Sequence, residues 1–172
     1  YSKFQNLPVH PDKIIVEDSN SGYEFFNTIG QENNILCESA GGKSNIFSKL
    51  QSIGQETVCV IADGAAIGPE MNRLYEITER KSNIVLYFPE SFEWLILKSG
   101  LVTDGDIKTI LQEPEAYIES KDYFSWERYF TKLLIERTQD TYLQYQKTKL
   151  NPVYLHDKIK HTIISVMQGI IL

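Results

Sequence analysis

The chain has 172 residues, 42% of them hydrophobic, and a formal net charge of -6 from 17 basic and 23 acidic side chains. That length suits one domain with room for a small helical annex, and that apolar fraction is enough for a sizeable core, which excludes a disordered chain. The acidic balance argues against broad electrostatic binding to a phosphate backbone, so contact with nucleic acid needs a local basic patch or a bound metal.

Pro8 and Pro11 punctuate the first segment. Lys13-Ile14-Ile15-Val16 follows, a continuous apolar run of the kind found in strands covered on both faces, and it ends on Glu17-Asp18. Ser19-Asn20-Ser21-Gly22 is a turn, after which Tyr23, Phe25, Phe26 and Ile29 have helical spacing, with Gly30 as the stop. Residues 34–37 predict a second strand, and Ser39-Ala40-Gly41-Gly42-Lys43-Ser44-Asn45 a loop. Ile46, Phe47, Leu50 and Ile53 give the next helical face, closed by Gly54. Thr57-Val58-Cys59-Val60-Ile61-Ala62 is the clearest buried strand and ends on Asp63. Residues 64–69 predict a tight loop whose Pro69 suits the first turn of a helix through Met71, Leu74, Tyr75 and Ile77. Residues 83–88 are a fourth strand, ending at Pro89.

This alternation predicts an α/β fold over residues 1–100, with a mainly parallel four-stranded sheet flanked by helices in the Rossmann-like manner. From Ser91 the pattern turns helical, with Phe92, Leu95 and Ile96 in one stripe. Val102-Thr103-Asp104-Gly105-Asp106 is a turn and cap before Ile107, Ile110 and Leu111. Trp126, Tyr129, Phe130, Leu133 and Leu134 predict an amphipathic helix running to about Tyr145, and a last helix starts near Val153, after Leu150-Asn151-Pro152. Residues 101–172 are thus a helical extension, packed on the first unit or continuing into a further segment. Trp94 and Trp126 sit in apolar stripes and are expected in the core. A start on Tyr1 and a close on Gly169-Ile170-Ile171-Leu172 suggest a piece of a longer polypeptide. There is no signal peptide and no apolar run long enough to span a bilayer, so no membrane partner is expected. Cys37 and Cys59 lie in apolar runs and predict buried free thiols in a reducing compartment, hence a cytoplasmic protein.

In parallel sheets, ligands sit beyond the carboxyl ends of the strands. Glu17, Asp18 and Asp63 all fall at such ends, and Glu90 and Glu93 follow the fourth strand. Crowded carboxylates repel one another unless a cation lies between them, and hard ions such as Mg²⁺ prefer oxygen ligands. The plain alternative is that Asp18 or Asp63 caps the following helix. Gly41-Gly42-Lys43-Ser44 offers backbone N–H groups and a Lys for phosphate, but the full phosphate-loop signature requires Gly where Cys37 stands. A turn into a helix explains the same residues. His10, His156 and His161 are scattered without a Ser or Cys partner, so a hydrolase triad has no support. Lys147, Lys149, Lys158, Lys160 and His161 make the tail basic, as a solvated face or a nucleic-acid patch.

Lys13-Ile14-Ile15-Val16-Glu17 followed by a helix resembles the first motif of Toprim domains, in which a lone Glu ends the first strand. Asp63-Gly64-Ala65-Ala66-Ile67-Gly68 is similar to their second motif, Asp-x-Asp-x-x-Gly, with Ala65 in place of the middle Asp. Glu90-Ser91-Phe92-Glu93-Trp94 resembles the Glu-containing helix start in Toprim domains of the overcoming-lysogenization-defect type, which commonly follow an ATPase module in bacterial anti-phage nucleases. The resemblance covers residues 10–100 or so. It implies metal-dependent cleavage of nucleic-acid phosphodiesters with Mg or Mn, Glu17 serving as general base or metal ligand and Asp63 as metal ligand. It also implies an ATPase module in the same parent chain or as a partner. For the missing Asp, either Asp18, Glu70, Glu90 or Glu93 compensates, or the domain is a degenerate copy.

A rival resemblance is to receiver domains, where an acidic pair such as Glu17-Asp18 holds Mg²⁺, an Asp such as Asp63 accepts a phosphoryl group, and a Ser such as Ser91 follows the fourth strand. That family also expects a Lys ending a fifth strand, and no such strand is legible. A third reading is a non-enzymatic interaction module, self-associating or binding a partner through Tyr117, Tyr123, Phe124, Tyr129, Tyr142 and Tyr145.

Overall fold

The apolar runs form β1 (Lys13–Val16), β2 (Leu36–Ser39), β3 (Val58–Ile61) and β4 (Ile84–Tyr87). In a computed structural model, which describes residues 9–118 and 125–172, they build one parallel sheet ordered β2-β1-β3-β4. Ile14 stands opposite Cys37 on one side and Cys59 on the other, and Cys59 stands opposite Val85. Strand side chains alternate between faces. Ile14, Val16, Cys37, Cys59, Ile61 and Tyr87 enter one core, while Ile15, Val58, Val60, Ile84 and Leu86 enter the other. Burial on both faces is why these runs read as continuously apolar.

The helices are α1 (Ser21–Asn33), α2 (Lys43–Gln51), α3 (Gly64–Ile67), α4 (Met71–Arg80), α5 (Phe92–Lys98), α6 (Ile107–Gln112), α7 (Trp126–Thr138) and α8 (Asp157–Ile164). Ile46 and Leu50 of α2 and Leu74 and Ile77 of α4 cover the second face. Phe25, Phe26 and Ile29 of α1 share the first face with Leu95, Ile110, Leu134 and Ile163 from α5 to α8. The expected α/β architecture is therefore present, and the helices beyond residue 101 complete the core over that first face. The chain leaves β1 toward β2, then crosses back past β1 to β3. This reversal opens a crevice at the carboxyl ends of β1 and β3.

Several boundaries differ from expectation. Gly30 does not stop α1, which runs on to Asn33. The left-handed residue is Asn34, at φ 57°, and its N–H donates to Gly30 O. Gly30 serves close packing instead, since a Cβ there would sit 2.5 Å from the Ile35 carbonyl oxygen. Residues 64–70 are not a loop but α3 followed by a 3₁₀ turn, Gly68–Glu70, with Pro69 in its first positions. The helix from Trp126 ends at Thr138 rather than near residue 145. There Thr138 Oγ1 donates to Leu134 O at 2.7 Å and accepts the Tyr145 N–H at 3.0 Å, so a tertiary contact folds the chain back. Trp94 is half-buried, but Trp126, expected in the core, lies exposed on the outer side of α7.

Val9 forms a parallel bridge with Ile170, through Val9 N–H to Gly169 O and Ile171 N–H to Val9 O, both at 2.9 Å. Cys37 and Cys59 are free and buried, and burial pushes both thiols up to about 12. Among the described residues no helix is long and apolar enough to cross a membrane.

Candidate functional site

Glu17 extends β1 by one more rung, its N–H donating to Ile61 O at 2.9 Å. Its Oε2 then accepts the Asp63 N–H at 3.1 Å, which fastens the ends of β1 and β3 together. Glu17 and Asp63 therefore meet at the same edge of the sheet. The capping alternative divides between the two aspartates. Asp18 Oδ1 accepts the N–H groups of Tyr23 and Asn20 at 3.1 and 3.4 Å, so it does hold the first turn of α1. Asp63 makes no side-chain capping bond to α3, so its carboxylate is not occupied in that way.

These three carboxylates line a cavity of about 120 Å³, together with Phe92, Glu127 and Lys147. Lys147 comes from the segment expected to end a helix or form a solvated basic face. It does neither. Its carbonyl accepts the Ser21 N–H at 3.1 Å and the Ser21 hydroxyl at 2.8 Å, and the same hydroxyl donates to Gln146 O at 2.7 Å. Two residues before Lys147, buried Tyr145 donates from Oη to buried Glu93 at 2.9 Å. The Lys147 ammonium hydrogen-bonds Glu127 Oε1. Glu127 and Lys147 are thus the site residues that sequence reasoning missed. Lys147 read as part of a basic tail and Glu127 lies in the first turn of α7, and the fold-back after Thr138 brings Lys147 onto Glu127 at the strand ends.

The electrostatics follow from this crowding. Burial, followed by the charges of Glu93, Glu127 and Glu17, holds Asp63 well above the usual aspartate range. Burial also raises Glu17, partly offset by the Asp63 N–H, and raises Asp18, partly offset by the N–H groups of Tyr23 and Asn20. For Lys147, burial opposes the charge, but the Glu127 hydrogen bond and the nearby Glu93 and Asp63 leave it raised overall and firmly cationic.

The other expected residues are dispersed. Glu93 lies behind Asp63, sealed from solvent at 2% exposure. Glu70 pairs with Arg73 at 3.4 Å and Glu90 is exposed, and neither lines the cavity. Ala65 is exposed on α3. Gly41 and Gly42 adopt φ of 69° and 124°, which glycine accommodates without strain, and the Gly42 N–H donates to Glu17 O at 2.9 Å. Lys43 Nζ donates to Ala66 O at 2.9 Å. The Gly41-Gly42-Lys43 loop therefore braces β1 and α3. Of the aromatic residues weighed as adhesive, Tyr129 and Tyr145 are buried, Tyr117 and Tyr142 are exposed, and Tyr123 and Phe124 lie outside the described residues.

Among the described residues no three His, Cys, Asp or Glu side chains are already arranged to hold a metal. The chemistry of the donors nevertheless fits a hard divalent ion, because Glu17, Asp18 and Asp63 line one cavity with carboxylate oxygens, where the charge of Lys147 already acts on Asp18 and Asp63 and that of Lys43 on Glu17. No family model matches the chain, and no curated protein and no solved structure matches it.

Proposed function

We propose that the chain is a Toprim-like domain acting on nucleic-acid phosphodiesters with Mg²⁺ or Mn²⁺ at the edge formed by Glu17, Asp18 and Asp63. The observation that supports this most is the convergence of these carboxylates on one cavity at the strand reversal, all with pKa values raised by burial. A divalent ion bound there would neutralise a phosphoryl oxygen and acidify a bound water. Glu17, raised by burial and oriented by the Asp63 N–H, suits the role of general base. Asp63, free of capping duty, suits a ligand role. Asp18 contributes its second oxygen while Oδ1 holds α1. In this reading an ATPase module in the parent chain or in a partner supplies the energy-coupled step, as in anti-phage nucleases.

The test is direct. Mn²⁺ or Mg²⁺ is expected to raise the melting temperature of the protein by linkage, and Asp63→Ala to abolish the rise. Glu17→Gln is expected to lower the rate of metal-dependent strand cleavage by about 10²–10⁴-fold. A chain that neither binds these ions nor cleaves DNA or RNA refutes the nuclease reading.

One observation favours a receiver-like second reading. The order β2-β1-β3-β4 matches the first four strands of the flavodoxin-like sheet, and Lys147 approaches the acidic edge as a receiver lysine does. Among the described residues no fifth strand follows β4. Incubation with a small phosphodonor tests the second reading, since a base-labile phosphoryl adduct on Asp63 supports the receiver and overturns the nuclease, and its absence counts against the receiver.

A further inference from the structure

The acidic cavity already contains a cation of its own. Lys147 lines it beside Glu17, Asp18 and Asp63, bonded to Glu127. Its position is built rather than incidental. Ser21, at the start of α1 and nearly sealed from solvent, grips the backbone of both Gln146 and Lys147, while Tyr145 is anchored on Glu93. The segment thus has fixed backbone on the strand-end side, and a flexible four-carbon side chain reaching in. An ammonium and a divalent ion cannot both occupy so small a cavity without strong repulsion.

We propose that Lys147 is a resident counter-cation that a divalent ion must displace, so that docking of residues 145–147 sets the metal affinity of the site. This rests on the metal reading above and adds its regulation. In the metal-free protein Lys147 neutralises the crowded edge and keeps the fold intact. On metal binding the Lys147 side chain swings out, and Glu127, released from it, becomes a further carboxylate at the cavity. Anything that pulls residues 145–147 off Ser21, such as a partner docking on the helical extension, then raises metal affinity.

The experiment is a calorimetric titration of the whole chain with MnCl₂. Lys147→Met is expected to bind Mn²⁺ about tenfold more tightly than wild type or beyond, a change of about 1.4 kcal/mol. Lys147→Arg retains the cation and is expected to stay within about threefold of wild type. Lys149→Met makes the same change in net charge on an exposed neighbour outside the cavity, and is expected to leave affinity unchanged. Ser21→Ala alters no charge but loosens the segment, so it is expected to tighten binding by a few-fold, which keeps the test open should Lys147→Met fold poorly. Equal affinity in wild type, Lys147→Met and Ser21→Ala overturns the counter-cation while leaving the metal reading standing. An equal gain in Lys149→Met also overturns it, by showing a general charge effect. No binding by any variant overturns both.

Discussion

At the scale of single residues, the acidic edge works against the fold that carries it. Asp63 has a native pKa raised well above 3.8, so between the unfolded and native values the folded protein binds a proton there that the unfolded chain has released. Its contribution is fully present below the unfolded pKa and is lost as pH rises toward the native one. Glu17 and Asp18, also raised, act with the same sign. Asp63→Asn removes the penalty. Urea unfolding at pH 4 and pH 8 is therefore expected to show the variant gaining on wild type as pH rises, while its metal-dependent activity is lost. A stability difference that stays constant with pH would contradict the assignment. Glu17 and Asp63 were legible because each ends an apolar run in a β-α-β pattern, and sequence position alone fixes which sheet edge they share. Lys147 and Glu127 were not legible, because Lys147 arrives through hydrogen bonds between Ser21 and residues more than a hundred positions away, and Glu127 through the tertiary packing of α7.

Among elements, the strands were the most legible and the helix ends the least. A strand buried on both faces has little choice of residue, so Val58-Cys59-Val60-Ile61 carries its own signature. A helix end is decided by what it meets. Gly30 looked like a stop, yet α1 continues through it to Asn33, and the glycine is there because the Ile35 carbonyl packs where a side chain would be. Gly30→Ala is expected to cost about 1–3 kcal/mol in urea unfolding, despite alanine's better helix propensity. A neutral or stabilising result would show that β2 can shift away. The end of α7 is likewise tertiary, set by Thr138 and Tyr145. Leu134, fully buried on the inner side of α7, links that helix to the sheet face. Leu134→Ala is expected to destabilise the protein by about 2–5 kcal/mol, measured by denaturant titration.

On the scale of the whole molecule, the helices of residues 101–172 share one core with Ile14, Val16 and Ile61. Shared burial of that kind couples their melting to that of the sheet. Far-UV circular dichroism and tryptophan fluorescence are expected to report a single coincident unfolding transition, with Trp94 sampling the α/β unit and Trp126 the extension. Two separated transitions would instead indicate that the extension unfolds alone. The sequence anticipated the α/β class and the helical extension, but not that one face of the sheet depends on that extension for its cover. The bridge between Val9 and Ile170 carries this dependence into protein synthesis. A ribosome delivers Val9 long before Ile170, so the Val9 N–H and carbonyl must wait for partners not yet made, as must the part of the first face that the later helices cover. The four strands can pair before Ile170 is made, whereas the bridge that ties Val9 to residues 169–171 cannot.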